Sequence, residues 1–385
     1  MGVAMTLFRL GNSVWWGLPP TPKIIRLHGD TFVIVALICL VLQIVYLYTY
    51  YSELSFMTLG TMFAMIPATI VCNAKLIVSM KPAYKRIMQN MMDKIHVHNF
   101  LDENDEFIKK KLVKVERNIR WITSFLVGFI FMDWLLWIIV PLRNNIINKE
   151  RIANGTVRLE TCLYMWMPFE YGYDFKTWLI IHSMNVYLVF TGGLVLPFCD
   201  SINFIFIFHF LSHIDILRHK IQTCFDGELD DKETKEKIVG IIKYHSFILR
   251  TFDDMKAGFG ANVTLNYLHN LINDSLLLYQ IMVGDKANRL TYLFMIQFHM
   301  GGLIVVSFAL EQIRIKTDDL ALVLYHVPWE KMSTTNQKLL IPILLRMQKP
   351  LVFVGALGLE TGVRPLANII KSTFSYYVML KSSIE

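Results

Sequence analysis

The end of the chain contains the stretch that decides its fold: Leu345-Arg346-Met347-Gln348-Lys349-Pro350, then a glycine-interrupted apolar run, then Ile370-Lys371-Ser372-Thr373-Phe374-Ser375-Tyr376-Tyr377-Val378-Met379-Leu380. The closing run predicts an apolar helix that ends within five residues of the carboxyl terminus. We therefore expect a last helix inside a membrane, with no soluble tail beyond it. The side of the membrane on which it ends separates two classes of multi-helix membrane protein.

The composition of the whole chain agrees with a membrane protein. Its 385 residues are 54% apolar and only 18% charged, whereas a soluble domain usually carries about 25% charged residues. One water-soluble core cannot bury so much apolar surface, so the composition predicts a polytopic, all-α membrane protein. The net charge is +7, and the basic residues that cause it lie in loops between apolar runs. We interpret these basic residues as topology signals and not as a nucleic-acid site.

Seven apolar segments have at least about 20 residues, the length that a helix needs to cross a hydrocarbon core of ~30 Å. An eighth segment, 339–357, is interpreted as a helix packed at the cytoplasmic edge of the membrane. This predicts a cytoplasmic amino-terminal segment (1–30), a six-helix bundle with cytoplasmic loops (31–338), and an anchor helix followed by the seventh span (339–385). The predicted spans are 31–51, 56–80, 121–142, 175–208, 263–283, 291–313 and 362–380.

The distribution of basic residues predicts the orientation of these spans. Segments 1–30, 81–120, 209–262 and 314–349 together hold 27 Lys and Arg residues, against 8 in the segments on the other side. The positive-inside rule therefore predicts a cytoplasmic amino terminus and an extracellular carboxyl terminus. This orientation is inverted relative to a G-protein-coupled receptor.

Other function classes find less support. A G-protein-coupled receptor is the main alternative, but the chain has no Asp/Glu-Arg-Tyr after the third span and no Asn-Pro-x-x-Tyr in the seventh. A secondary transporter would show internal repeats with paired interrupted helices, and we find neither. Enzyme motifs such as HExxH and GxSxG are absent from the sequence, and we expect no cofactor. His209 and His213 are four apart, but we expect a structural role for them and no metal site.

The longest predicted outer loop, between the third and fourth spans, contains the sequon Asn154-Gly155-Thr156, so Asn154 is a candidate glycosylation site. Cys162 is the only one of the five cysteines in a predicted outer loop, so we expect no extracellular disulfide within the chain. Asp133 lies in the third span, where a charge is costly. It either contacts a ligand or ion, or pairs within the bundle, which is the more common arrangement.

The carboxyl-terminal pattern resembles the insect odorant receptor family. That family shows an Arg, a Lys/Gln-Pro pair, a glycine-containing break and a closing Ser-Tyr-Ser-Tyr-Phe-like run that ends in Leu. The corresponding residues are Arg346, Gln348-Lys349-Pro350, Gly355 and the run from Ser372 to Leu380. Thr373 and Phe374 depart from the usual Ser-Tyr. The loop of roughly 54 residues between spans four and five, at 209–262, is much shorter than that of the family's co-receptor.

The resemblance implies a ligand-binding subunit of an odorant-gated, nonselective cation channel. Family members of this kind assemble with the odorant receptor co-receptor, four subunits surrounding one pore, in the plasma membrane of olfactory sensory neurons. The seventh helix lines the pore through which cations pass, and the outer faces of the bundle contact lipid. A volatile odorant binds in the outer half of each tuning subunit.

An odorant pocket should be apolar and aromatic, with one or two polar groups. Residues that share helical faces in the outer halves of the spans are the candidates. For each of them, ordinary helix packing or lipid contact is the alternative. The candidates are Leu59, Met62, Phe63 and Ile66 in span two, Phe131, Trp134 and Trp137 in span three, His182, Asn185, Val186 and Val189 in span four, and Tyr279 in span five.

The seventh helix carries the candidates for the pore lining. A stripe at helical spacing contains small hydroxyl side chains, past which hydrated cations could move, and one bulky apolar residue that could form a dewetting gate. The resemblance places Tyr376 and Met379 at the outer constriction. Packing against neighbouring subunits is the alternative role. The stripe consists of Ser372, Ser375, Tyr376, Met379 and Ser383.

Overall fold

The described part of the chain is built from helices. We analysed a computed structural model that describes residues 23–54, 56–100, 105–227, 230–283 and 289–382. Within these ranges there is no β-strand, only an isolated antiparallel bridge between Val354 and Glu360. The predicted all-α fold class is confirmed, whereas the sidedness of the two termini stays a prediction.

Several helices are much longer than a bilayer requires. Helix α6 has 49 residues and α7 has 53, which at ~1.5 Å per residue is more than twice the ~30 Å of a hydrocarbon core. These helices therefore continue beyond the membrane. The helices are α1 Lys23–Tyr50, α2 Phe56–Ser79, α3 Pro82–Asn90, α4 Glu106–Ile147, α5 Lys149–Ala153, α6 Phe175–Thr223, α7 Asp231–Val283, α8 Arg289–Tyr325, α9 Thr334–Met347 and α10 Val363–Ser382.

Among the described helices, α1, α2, α4, α6 and α8 are long and apolar enough to cross a membrane. The predicted fifth and seventh spans lie in α7 and α10, whose sequences are more polar. In α7 the cause is a run of side chains that includes Asn266, Asn270, Asn273 and Asp274. The assignments of spans one to four and of span six thus agree with the structure, and the total of seven spans remains a prediction.

Helix α1 begins at Lys23, and its stretch long and apolar enough to cross a membrane is Thr31–Tyr50, which agrees with the predicted first span. One other predicted boundary differs from the structure. The predicted 339–357 helix is α9, which ends at Met347, and the chain then turns toward α10 with only a short 3-10 helix, Ala356–Gly358, in between. Gly358 and Gly362 have φ values of +75° and +121° in this turn, a backbone conformation that favours glycine and cannot continue a helix.

Helices α6 and α7 lie at the centre of the packing. Helix α4 runs along α6, while α7 packs against α2, α8 and α10. The largest apolar core forms where these long helices meet α3 and α9, and buried aromatic rings such as Phe206, Phe210, Phe252 and Phe259 fill it. This core packs together the helix ends that we predict to lie in the cytoplasm.

One buried ion pair joins three of the helices. The Nζ atom of Lys75 on α2 lies 2.8 Å from Oδ1 of Asp200 on α6, and the Lys75 side chain is only 1% exposed. The side-chain amide of Asn266 on α7 donates to the same oxygen at 2.9 Å. A buried charge is costly unless it is paired and hydrogen-bonded, so this contact specifies how α2, α6 and α7 meet.

We predict that Lys75→Ala destabilises the protein by about 3 kcal/mol, because it leaves the Asp200 carboxylate without its counter-charge. The measurement is thermal unfolding of the purified protein in detergent. Lys110→Ala is the matched control, since Lys110 pairs with Glu106 on an exposed helix face where the side chains are 79% and 81% exposed. Its effect should stay below about 0.5 kcal/mol. Equal destabilisation by both variants would contradict the assignment.

Candidate ligand-binding cavity

A cavity of about 250 Å³ lies between α1, α2, α4, α6 and α8. It is smaller than the ~300–1,000 Å³ of sites for drug-sized ligands, so it suits a small molecule. Its walls are mainly apolar. Aromatic rings and long apolar side chains provide most of the lining, including Phe32, Cys39, Met65, Phe131, Trp134, Trp137, Leu163, Val189, Phe190 and Met295.

Three aromatic rings form a continuous wall on one side of the cavity. The ring centroids of Phe131 and Trp134 are 5.6 Å apart, and those of Trp134 and Phe190 are 4.8 Å apart. Tilted rings at these distances attract each other as well as any flat ligand placed beside them. The wall combines residues of α4 and α6, two helices that pack along each other.

Few polar groups face the cavity. Gln43, which is buried on α1, donates from Nε2 to Oγ1 of Thr69 on α2 at 3.1 Å, so these two side chains largely satisfy each other. Asp133 on α4 and His299 on α8 also line the cavity. A small number of placed polar groups in an apolar site is the usual basis of ligand orientation.

The loop between α5 and α6 folds into one end of the bundle. The backbone N–H of Trp166 donates to the carbonyl oxygen of Leu42 on α1 at 3.0 Å, and residues 161–165 are buried. Leu163 from this loop reaches the cavity wall. The loop therefore closes the cavity from the side that we predict to be extracellular.

Side chains of α6 hold this loop in place. The amide of Asn185 donates to Oγ1 of Thr161 at 3.0 Å and to the carbonyl oxygen of Leu163 at 2.6 Å. His182 Nδ1 lies 3.1 Å from the same Thr161 hydroxyl, and its ring stacks on Trp178 with centroids 4.7 Å apart. These contacts satisfy polar groups that burial would otherwise leave unpaired.

The buried loop side chains are neutral. Burial raises the pKa of the Cys162 thiol to about 12, and this cysteine forms no disulfide with any described residue. Burial also raises the pKa of the Tyr171 hydroxyl, which donates to the carbonyl oxygen of Met165 at 3.0 Å. The loop is thus held by packing and hydrogen bonds.

The structure brings four of the predicted pocket residues to the cavity: Phe131, Trp134, Trp137 and Val189. Several of the other predicted residues contact the loop between α5 and α6 instead of the cavity. His182 and Asn185 bind it, while Met62 and Ile66 belong to the apolar cluster that packs beneath it. The predicted residues that do not line the cavity are Leu59, Met62, Phe63, Ile66, His182, Asn185, Val186 and Tyr279.

The remaining predicted residues lie elsewhere in the bundle. Phe63 is 41% exposed on the outside of α2, and Val186 packs in the cluster around Trp137. Leu59 on α2 and Tyr279 on α7 are half-buried. The cavity contacts α2 one turn further along the helix and on another face, at Met65, Ala68, Thr69 and Cys72.

Sequence reasoning missed the contribution of α1, which lines the cavity with Phe32, Ala36, Cys39 and Gln43. One signal was present. Gln43 is a polar side chain within an otherwise apolar span, and such residues usually face the interior of a bundle.

The last helix, α10, packs through one face only. Leu366 and Thr373 are buried against α7 and α8. The predicted pore residues lie away from this contact: Ser375, Tyr376 and Met379 are exposed and Ser372 is half-buried. Ser383 lies outside the described residues. A single chain thus leaves the face with these residues uncovered.

The start of α10 is tied to α7 and α8. The backbone N–H of Gly362 donates to the Tyr267 hydroxyl at 3.0 Å, and this hydroxyl also lies 2.5 Å from Oγ of Ser307. Oε2 of Glu311 accepts from the backbone N–H of Val363 at 3.4 Å. Helix α8 therefore contacts both the cavity, through His299, and the first turn of the last helix.

Two further predicted features have clear positions. Asn154 is exposed at the end of α5, so its side chain is accessible to a modifying enzyme; its glycosylation stays a prediction. His209 and His213 are buried, where His209 accepts from the N–H of Val97 and His213 bonds Tyr244 and the carbonyl of Ile95. No group of three candidate metal ligands occurs within the described ranges.

The described part of the chain is thus a bundle of long apolar helices, of the kind that can cross a membrane, around a small aromatic-walled cavity. The family model of the seven-transmembrane odorant receptors matches residues 55–374. The chain therefore belongs to this family, as the resemblance of its carboxyl-terminal pattern predicted.

Curated relatives agree with this assignment. Odorant receptor 85d of Drosophila melanogaster is 17% identical over 224 residues, which cover 57% of this chain and 53% of the relative. Odorant receptor 10 of Aedes albopictus is 21% identical over 224 residues, 56% of this chain and 59% of the relative. The chain thus matches less than two thirds of the length of each.

Solved structures show the same fold. The olfactory receptor OR5 of Machilis hrabei in complex with eugenol superposes with a TM-score of 0.81 at 12% identity, covering 99% of this chain and 97% of that receptor. A second structure of OR5 gives a TM-score of 0.78 at 13% identity, covering 98% and 96%. At such identities the likeness establishes the fold alone.

We predict that Asn185→Leu loosens the loop, because it removes both hydrogen bonds from α6 and leaves the Leu163 carbonyl unpaired. Hydrogen–deuterium exchange of peptides within 159–167 should be at least about tenfold faster, which corresponds to about 1.4 kcal/mol. Ser183→Ala is the control, since Ser183 is exposed and bonds only within its own helix. Unchanged exchange in Asn185→Leu would remove its role in closing the cavity.

Proposed function

We propose that this chain is the odorant-binding subunit of a ligand-gated, nonselective cation channel that opens together with the odorant receptor co-receptor. Four subunits would surround one pore in the plasma membrane of olfactory sensory neurons. The observation that carries the proposal is the aromatic-walled cavity closed by the loop between α5 and α6. Membership of the odorant receptor family supports it.

A volatile odorant would gain affinity in this cavity mainly by leaving water. Burial of apolar surface contributes roughly 25 cal/mol per Å², and the rings of Phe131, Trp134 and Phe190 offer faces for stacking. The fold neighbour OR5 binds eugenol, a small aromatic molecule. This supports the size class of the ligand but does not identify the odorant of this chain.

Helix α8 offers a direct mechanical connection between the cavity and the last helix. His299 lies at the cavity, and Ser307, eight residues later, contacts the Tyr267 hydroxyl of α7. That hydroxyl accepts from the backbone N–H of Gly362, just before α10. At ~1.5 Å per residue His299 and Ser307 are only about 12 Å apart along one helix. A ligand that binds better when α8 is in its open-state position would shift the population toward the open channel.

The uncovered face of α10 would line the pore. Ser375 and Tyr376 carry hydroxyl groups, and Met379 is an apolar residue near the end of the described part of the helix. Met379 would form a hydrophobic constriction that blocks ions by dewetting. The uncovered face of the described helix has no acidic residue, so the pore should discriminate little among cations.

A G-protein-coupled receptor is the alternative class, and it is not favoured. The fold of this chain matches a solved insect olfactory receptor over nearly its whole length. Its sequence also lacks the Asp/Glu-Arg-Tyr and Asn-Pro-x-x-Tyr motifs of that class. The exposed sequon at Asn154 lies on the same side as the loop that closes the cavity, so glycosylation there would report an extracellular position of both.

The proposal is tested by whole-cell recording from cells that express this chain with and without an insect odorant co-receptor, while G-protein signalling is blocked. An odorant panel that includes eugenol should evoke rapid cation currents only in the co-expressing cells. Trp134→Leu should raise the half-maximal odorant concentration about tenfold, because a central aromatic contact is lost. Trp121→Leu on the same helix, where Trp121 is 73% exposed, should change it less than about twofold.

Currents that disappear when G-protein signalling is blocked would overturn the channel proposal. Equal effects of the two tryptophan substitutions on the half-maximal odorant concentration would mean that the odorant does not bind in this cavity. Surface labelling of each variant provides the control for delivery to the plasma membrane.

We predict that Met379→Ala raises the basal current severalfold, since a smaller side chain lowers the barrier to hydration of a hydrophobic constriction. The measurement is the leak current of co-expressing cells without odorant, normalised to surface protein. Met132→Ala serves as the control, because Met132 is an exposed methionine on α4 outside the cavity lining. Unaltered gating and permeability in Met379→Ala would exclude this residue from the pore.

A further inference from the structure

The cavity contains a carboxyl group that lacks a full set of partners. Asp133 lines the cavity between the aromatic residues of α4, and its Oδ1 atom is buried with no hydrogen-bond partner among the described residues. Its side chain is hydrogen-bonded to Trp137 and lies near His299. An unpaired buried acceptor is costly, so a ligand that donates a hydrogen bond to it would gain free energy on binding.

A second buried acid lies behind the first. Asp274 on α7 is fully buried, and its Oδ1 atom lies 3.6 Å from Nδ1 of His299 on α8. His299 therefore stands between two acids, Asp133 at the cavity and Asp274 behind it. One imidazole ring thus serves two carboxyl groups.

The cavity lining offers no fixed cation to these acids. The ring of His269 lies 4.7 Å from that of His299, and Lys75 on α2 is paired with Asp200. No Lys or Arg is found among the described residues that line the cavity. A positively charged ligand would therefore supply a counter-charge that the lining lacks.

The aromatic wall suits a cation as well. Trp134 lies next to Asp133 in the sequence and packs between Phe131 and Phe190. The faces of such rings attract ammonium groups, and rings around a cation are a common means of binding substituted amines. An acid with a free oxygen and a set of aromatic rings therefore occur together in one small cavity.

We propose that the preferred ligand is a small amine that is protonated in water, with its ammonium group against Asp133 and its apolar part against the aromatic wall. This inference rests on the proposed function, because it takes the cavity to be the odorant site. A neutral alcohol could donate one hydrogen bond to Asp133 but would bring no counter-charge. The preference should therefore be for the charged head group and not for a particular carbon skeleton.

The test compares two molecules of nearly equal size, 2-phenylethylamine and 2-phenylethanol. Their dissociation constants are measured by calorimetry at pH 7 on the purified full chain in lipid nanodiscs. The wild-type chain should bind the amine at least tenfold more tightly. Asp133→Asn, which keeps the shape and removes the charge, should reduce the preference to less than about twofold, because the counter-charge for the ammonium group is lost. Asp318→Asn, at an exposed position on α8, should retain it.

Equal or weaker binding of the amine by the wild-type chain overturns the inference, as does failure of both molecules to bind. A preference that survives Asp133→Asn overturns the assignment to this carboxyl group. The wild-type comparison needs no variant, so it decides even if Asp133→Asn does not fold. Calorimetry measures binding without ion flow, so the two proposals can fail separately. Odorant currents without an amine preference would contradict this inference and leave the channel proposal intact. An amine preference without currents would support this inference and contradict the channel proposal.

Discussion

The buried ion pair between Lys75 and Asp200 shows the constraint on which the arrangement of this bundle depends. A charge inside an apolar bundle must meet a partner, and here the partners come from α2, α6 and, through Asn266, α7. Apolar side chains allow many rotations of one helix against another, because packing is tolerant of shape. A charged contact with a single geometry allows far fewer. The position of these three helices then determines where a cavity can remain beside them.

The cavity exists because the loop between α5 and α6 fills only one end of the space between the helices. Asn185 and His182 hold this loop through Thr161 and the backbone of Leu163. A polar backbone segment inside the bundle requires such partners, since little water reaches it. The loop takes up the polar side chains of α6, and the ligand space below it is left with aromatic walls and a small polar group. The loop thus both closes the cavity and contributes to its apolar lining.

Helix α8 relates the cavity to the last helix without a long chain of intermediates. It carries His299 at the cavity, Glu311 at the first turn of α10, and Ser307 against the Tyr267 hydroxyl that bonds Gly362 before that turn. A helix transmits displacement along its axis because its backbone hydrogen bonds are all made internally. The glycine-containing turn before α10 offers a place where such a displacement could change the direction of the last helix. Gly362 sits in this turn with φ +121°.

The sequence by itself determined the class of protein, the first four spans and the sixth, and the family, because apolar runs of sufficient length and one carboxyl-terminal pattern carry this information locally. It also identified Trp134 and Trp137 as cavity residues, since aromatic residues on α4 repeat at helical spacing. The predicted face of α2, with Met62 and Ile66, was packed against the loop instead, and the lining by α1 was missed. Which face of an apolar helix looks inward, and where a loop inserts, depends on contacts between residues far apart in the chain. Only the tertiary structure decides these, because an almost uniformly apolar helix has no amphipathic pattern from which its rotation could be read.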